Sequence, residues 1–211
     1  MQAVLYYVHD PMCSWCWAFG KVRGELLQQL PASLKVQRLL GGLAADTDEP
    51  MPPEMIAYVK SNWKAIENRL PHLRFNYDFW EICQPRRSTW PACRAVIAAR
   101  EQGSQYDRIM TRAIQQAYYQ QARNPSLNAT LIALAQETGL DSQRFSQDLV
   151  SRSTAEVLLR EISETRKLKA RSFPGLALKT AEGLHHIPVD YQSAEPMRVQ
   201  ILALLKQREV P

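Results

Sequence analysis

Two cysteines at i and i+3, Cys13 and Cys16, carry the most pointed chemistry in this sequence. They enclose Ser14-Trp15 and stand where an apolar run gives way to a helical pattern. On an opening helical turn, sulfurs at this spacing can bond with little backbone movement. The first lies beside unsatisfied backbone N–H groups and the positive end of the helix dipole, and both favour a thiolate. Cys13 is therefore the expected nucleophile toward a disulfide. Cys16, one turn inside, is the expected resolving thiol, which attacks the mixed disulfide and releases product. A competing assignment, half of a zinc site, needs two further ligands. Cys83 and Cys93 lie ten apart around Pro85 and Pro91 and are not a second close pair. Redox chemistry is the preferred reading, and no metal ligands are assigned.

Other residue types near the pair have ordinary and functional readings side by side. His9 could tune Cys13 by hydrogen bonding or proton transfer, although a structural histidine is commoner. Asp10 could tune the thiols electrostatically, although capping the turn is its commoner role. Trp15 is read as part of an apolar docking surface, and Trp17 as core. Packing is preferred to a second disulfide for Cys83 and Cys93. Tyr118-Tyr119 suits a cleft or a core equally. His185-His186 are neighbours on an expected strand, so their side chains point to opposite faces and cannot easily share an ion. Late in the chain, Phe173-Pro174 precedes an apolar run, a setting compatible with a cis bond at the start of a strand.

The elements that must position these groups can be read from periodicity. Residues 3–8 suggest a buried strand, followed by a turn and a helix that runs from the cysteine pair toward Leu30, with Gly20 and Gly24 weakening it and Pro31 ending it. Residues 34–40 read as a second strand stopped by Gly41-Gly42, and a crossover of this kind makes a parallel pair. Residues 51–169 give only helical signals. Pro52-Pro53 opens the first of these helices, a loop covers 71–89, Pro91 opens the next, and Gly139 stops another. Asp141 suits an N-cap. Residues 172–178 and 184–187 read as a hairpin turning at Glu182-Gly183, and a last helix covers 194–207. The order is βαβ, a helical insertion, then ββα.

Composition sets the limits. The 211 residues are 45% hydrophobic and 22% charged, as in a globular chain able to bury a core. Lys and Arg exceed Asp and Glu by 26 to 21, a mild +5. Alternating charges such as Arg160-Glu161 read as a solvated helix face, so nucleic acid is not an expected partner. No apolar run approaches the roughly 20 residues of a membrane span. With Met1 as the start there is no signal-peptide pattern, and a cytoplasmic location is expected.

The segment from Tyr7 to Trp17, with His9-Asp10-Pro11-Met12 before Cys13, resembles the active-site signature of DsbA-like thioredoxin-fold oxidoreductases, in particular their FrnE-type branch. The segment from Ser172 to Leu178 resembles that branch's cis-proline strand. The resemblance implies an α/β thioredoxin fold with a large all-helical insertion. Residues 1–45 and 168–211 would form the thioredoxin domain, and 46–167 the insertion. It implies a cis Pro174 beside Cys13, with the backbone at Phe173 pairing with an extended substrate. Trp15, Phe173 and Pro174 are thus the expected substrate contacts. The implied activity is thiol–disulfide exchange by a protein-disulfide oxidoreductase or isomerase, with disulfide- or thiol-containing proteins or small thiols as partners. No dissociable cofactor is implied, although glutathione could serve as co-substrate. Apolar helices of the insertion offer a candidate homodimer face. Ser14-Trp15 lacks the histidine of strongly oxidising periplasmic enzymes, which leaves the direction of exchange open. Two alternatives remain: a glutathione-dependent transferase or isomerase, whose kappa-type members carry serine where Cys13 stands, and a redox-sensing peptide-binding module.

Overall fold

Alternating burial in the first strand sets up two packing faces. In the computed structural model, which describes residues 2–170 and 172–206, β1 (Val4–His9) is followed by α1 (Ser14–Ala18), α2 (Gly20–Gln29) and β2 (Lys35–Leu40). Leu5 and Tyr7 point to one side of the sheet and pack with Phe19 and Leu26. Val8 points to the other side and packs with Leu39 and Leu168. The expected single helix after the cysteines is two helices, broken at Phe19 just before Gly20. Gly20 has no side chain to hold the turn, so the break falls where helix propensity is lowest.

The middle of the chain is helical. It comprises α3 (Pro53–Arg69), α4 (Phe79–Ile82), α5 (Trp90–Arg100), α6 (Tyr106–Gln120), α7 (Asn128–Glu137), α8 (Ser142–Leu149) and α9 (Arg152–Lys167). Proline opens α3, where a missing N–H costs nothing. Gly139 at φ +78° ends the connection after α7, and the Asp141 carboxylate accepts from the Arg144 N–H to cap α8. The short α4 lies inside the segment expected to be a loop. Trp63, Phe75, Phe79, Tyr118 and Tyr119 form one aromatic cluster at the centre of these helices. Tyr118 and Tyr119 therefore belong to a core. Trp17 of α1 stacks on Tyr119, so the core of the helices continues into the cysteine-bearing turn.

The chain then returns to the sheet as β3 (Gly175–Lys179) and β4 (Leu184–Ile187) and reaches α10 (Glu195–Lys206). The order is β2-β1-β3-β4, with β1 parallel to β2 and antiparallel to β3. Tyr7 lies opposite Leu176 and Val8 opposite Gly175, so the turn before β3 meets the C-terminal end of β1, where the cysteines begin. β3 starts three residues later than expected because Pro174 has no N–H for the ladder. The last helix was expected to reach Gln207, which lies outside the described residues. This is the thioredoxin fold. Among the described residues, no helix is long and apolar enough to cross a membrane.

One charge pattern reads differently in three dimensions. Glu161, expected on a solvated face, is buried and bonded to Arg100, while its other oxygen accepts from the Leu40 N–H at 2.7 Å. Arg100 also pairs with Asp107, which pairs with Arg38 of β2. The helical periodicity shows Glu161 as a charge. Only the fold shows that β2 and α5 pack on it.

Candidate active site

Cys13 is the N-cap of α1, in extended conformation, with its N–H donating to the Asp10 carbonyl at 3.1 Å. The cap position ends the turn from β1 and leaves the side chain at the mouth of the helix. Cys13 is 8% exposed and Cys16 is fully buried, so the two thiols differ in access in the order expected. The Cys13 thiol lies 3.5 Å from the Phe173 carbonyl oxygen, and the Phe173–Pro174 bond is cis. The structure thus brings Cys13, Phe173 and Pro174 together across 160 positions of sequence. Burial, and then the adjacent Cys13, push the Cys16 thiol well above the ordinary thiol range.

A groove of about 550 Å³ opens beside this pair, lined by Trp15, Phe173, Pro174, His186, Val189 and Tyr191, with Arg69 at its side. Trp15 is half-buried. Its indole N–H donates to Asn62 Oδ1 at 3.0 Å, and its ring tilts against Tyr191 at 5.0 Å. Trp15 thus presents a ring face whose orientation is fixed by α3. Trp17 faces the other way, into the core, as its helical position predicts.

Asp10 is fully buried and ties the turn to distant segments. Its carboxylate accepts from the N–H of Met12 and Leu43, each at 2.8 Å, from the Thr89 hydroxyl at 2.6 Å and from the Cys93 thiol at 3.4 Å. Burial raises its carboxyl above the usual range, and the hydrogen bonds from Thr89, Leu43 and Met12 oppose the shift. The turn-capping role expected of Asp10 is present, and it extends to the start of α5. Cys93 is buried on α5, and burial beside Asp10 holds its thiol well above the ordinary range. Cys83 is half-buried and donates to the Ala122 carbonyl at 3.1 Å. All four cysteines are free thiols.

His9 turns away from the thiols. Its ring stacks on Tyr7 at 4.9 Å, and Arg38 donates to its Nε2 at 3.1 Å. Arginine has no acceptor, so Nε2 accepts and the ring is neutral with its proton on Nδ1. Burial, then Arg38, hold its pKa well below the ordinary value. His185 and His186 do not converge: His186 lines the groove, and His185 lies 3.4 Å from Thr180 Oγ1.

Sequence reasoning missed four contributors. Thr89 was the end of a loop, yet it holds Asp10. Gly41 was a strand stop, yet a Cβ there would fall 2.0 Å from the Phe173 ring. Tyr191 and Arg69, whose guanidinium lies 5.0 Å from the Tyr191 ring centre, form the far wall of the groove. The glycine pair was the one visible signal, since Gly41-Gly42 after a strand marks close backbone approach as readily as an end.

Residues 6–184 match a family model described as thioredoxin. A crystal structure from Nitrosomonas europaea, its protein provisionally titled a protein disulfide isomerase, is 27% identical and covers 100% of both chains with a TM-score of 0.82. The cytosolic disulfide reductase DsbM of Pseudomonas aeruginosa is 21% identical, covering 97% of this chain and 99% of its own, with a TM-score of 0.76. Among curated proteins, the ClpXP adapter protein SpxH of Halalkalibacterium halodurans is 24% identical over 81% of this chain and 56% of its own length. The SpxH of Bacillus subtilis is 23% identical over 73% and 50%. The chain spans about half the length of the curated relatives it matches.

Proposed function

The chain belongs to the thioredoxin family, in its DsbA-like form, and from that premise we propose that it is a cytoplasmic thiol–disulfide oxidoreductase acting through Cys13 and Cys16. The observation that carries this reading is the Cys13 thiol 3.5 Å from the Phe173 carbonyl, beside a groove that Phe173 lines, with Cys13 8% exposed and Cys16 fully enclosed. An extended segment lying along Phe173-Pro174 would bring its disulfide to Cys13. The Cys13 thiolate attacks one substrate sulfur, and the other leaves as a thiolate that takes up a proton. Cys16 then loses its proton and attacks Cys13, freeing the second substrate thiol. The substrate gains two electrons and two protons, and the protein is left with a Cys13–Cys16 disulfide. A second thiol, glutathione or a protein dithiol, must reduce that pair for turnover, and the reverse sequence would oxidise a substrate dithiol. Trp15, Phe173 and Pro174 are the proposed substrate contacts. Division into a thioredoxin domain (1–45 with 168–211) and a helical insertion (46–167) belongs to the same reading.

The test is a redox titration in glutathione buffers, with thiols trapped and mapped by mass. Reversible interconversion of Cys13 and Cys16 as a pair is the expected result. Stable glutathione on Cys13 with no internal disulfide would overturn it in favour of a glutathione-dependent transferase. Cys16→Ser should hold substrate as a mixed disulfide on Cys13 and reduce turnover by at least about a hundredfold, consistent with the loss of an essential step of about 2.7 kcal/mol or more. Cys13→Ser should remove both the adduct and turnover.

A second reading follows from the groove and the curated relatives. Those relatives are adapter proteins by name, and the groove is apolar in much of its lining and borders β4, an edge strand. A protein-binding role would leave peptide capture intact in Cys13→Ser and show no turnover in the unaltered chain.

A further inference from the structure

A second cavity, of about 540 Å³, shares no lining residue with the groove and lies between α2, β2 and α6. Its lining is strongly cationic. Lys21 and Arg23 come from α2, Arg38 from β2, and Arg108 and Arg112 from one face of α6, with His72 at the rim. No aspartate or glutamate lines it. Arg38 is neutralised by Asp107. Among the described residues, the other four cations have no carboxylate within ion-pair distance. Two of them lie over aromatic rings instead: Arg23 at 4.8 Å from Tyr7, and Arg112 at 6.0 Å from Trp17.

Uncompensated charges gathered around one concavity repel each other, and Arg108 and Arg112 do so at i,i+4. Lys21, Arg108 and Arg112 are exposed and Arg23 is half-buried, so their charged ends are free to meet a solute. Here they surround one neutral amide with no partner in the chain, and a tryptophan ring whose N–H is enclosed. Gln115 is 7% exposed, lines the cavity, and its amide makes no hydrogen bond within the described chain. Trp17, also in the lining and 9% exposed, has an indole N–H with no partner. Planar guanidinium forks with a neutral amide between them match phosphate oxygens, which accept several charge-assisted bonds at once. The volume falls within the range of about 300–1,000 Å³ typical of small-molecule sites.

We propose that this cavity is a binding site for a small molecule bearing two or more phosphates. Arg108 and Arg112 grip the phosphates from α6, Lys21 and Arg23 face them from α2, and Gln115 donates from the floor. The occupant would rest on Trp17 and Ala18, the residues that follow Cys16. This site is separate from the thiol groove and does not depend on the redox reading.

The experiment is calorimetric titration of the full chain with sodium tripolyphosphate at neutral pH, against sodium chloride of equal ionic strength. Saturable binding of one anion per chain is expected, weakening as chloride is raised. The pair Arg108→Glu with Arg112→Glu should weaken it by about a hundredfold or more, as for loss of two charge-assisted grips at roughly tenfold each. Lys21→Glu on the facing wall should lose about tenfold by the same reasoning, which keeps the test open if the double variant does not fold. A control pair of exposed cations elsewhere, Lys64→Glu with Arg160→Glu, should bind as the unaltered chain does. Absence of saturation, or equal loss in the control pair, would overturn the site and leave only diffuse attraction to a basic protein. Binding of an oligoglutamate peptide with the same dependence on Arg108 and Arg112, without tripolyphosphate binding, would overturn the small-molecule assignment in favour of an acidic protein segment.

Discussion

His9 and Asp10 are consecutive, both fully buried, and solve burial in opposite ways. Asp10 collects four donors, one from its own turn and three from two other segments of the chain. His9 stays neutral under Arg38. Its lowered pKa fixes a sign for acid stability. In the unfolded chain the ring takes a proton below about pH 6.5, whereas in the folded chain it does so only at a well lower pH. Between those two points the unfolded state holds more protons, so stability is present above about pH 6.5 and is lost as pH falls through the window. The slope from this one group approaches about 1.4 kcal/mol per pH unit. His9→Gln keeps an acceptor for Arg38 and does not titrate. Urea melts of the two proteins from pH 7 downward should diverge by that slope below about pH 6.5, and parallel curves would remove His9 from the account. The turn role of Asp10 was legible because Asp10-Pro11 is a local signal. Its partners Thr89 and Cys93 stand 79 and 83 positions away and carry no mark in the sequence of what they will meet.

At the scale of elements, Gly41 fixes where the turn before β3 can sit. The Phe173 ring occupies the space that a side chain at Gly41 would take. Gly41→Ala forces the Phe173 ring out of its place beside the turn, because the clash at 2.0 Å is with carbons of the ring. The expected cost is about 1–3 kcal/mol of stability, typical of overpacking, together with a fall in disulfide turnover. Adding Phe173→Ala to Gly41→Ala should recover part of the stability and none of the turnover. A double-mutant cycle by denaturant melts measures the coupling, and additive costs would show that the two residues act independently. The elements themselves were readable wherever a period could repeat. The strands at both ends and the helices from α5 to α9 have enough apolar positions to show one. α4 has four residues, Phe-Trp-Glu-Ile, less than two turns, so no period exists to be seen. The break between α1 and α2 was foreshadowed by Gly20, which weakens a helix without saying whether it will break.

For the whole molecule, the helical insertion and the cysteine turn share a core. Met12, Trp17 and Leu40 pack in the same cluster as Trp63, Phe79 and Tyr119. The chain Arg38–Asp107–Arg100–Glu161 ties β2 to α5, α6 and α9 through buried charge. Neither link was legible, because both join residues whose local patterns are ordinary on their own. Trp63 sits at the hub: fully buried, stacked on Phe75 at 4.8 Å, and 5.6 Å from Tyr119, which in turn stacks on Trp17 beside Cys16. Trp63→Ala leaves a large void among rings that cannot collapse without losing one another, at an expected cost of about 3–5 kcal/mol. Because the core is continuous, the cost should fall on the cysteine turn as well as on the helices. Thermal melts followed by far-ultraviolet dichroism and by labelling of Cys16 should shift together in the variant, as one transition. If the helices lost structure at lower temperature while Cys16 kept its protection, the two parts would be energetically separate, and the shared cluster would be contact without coupling.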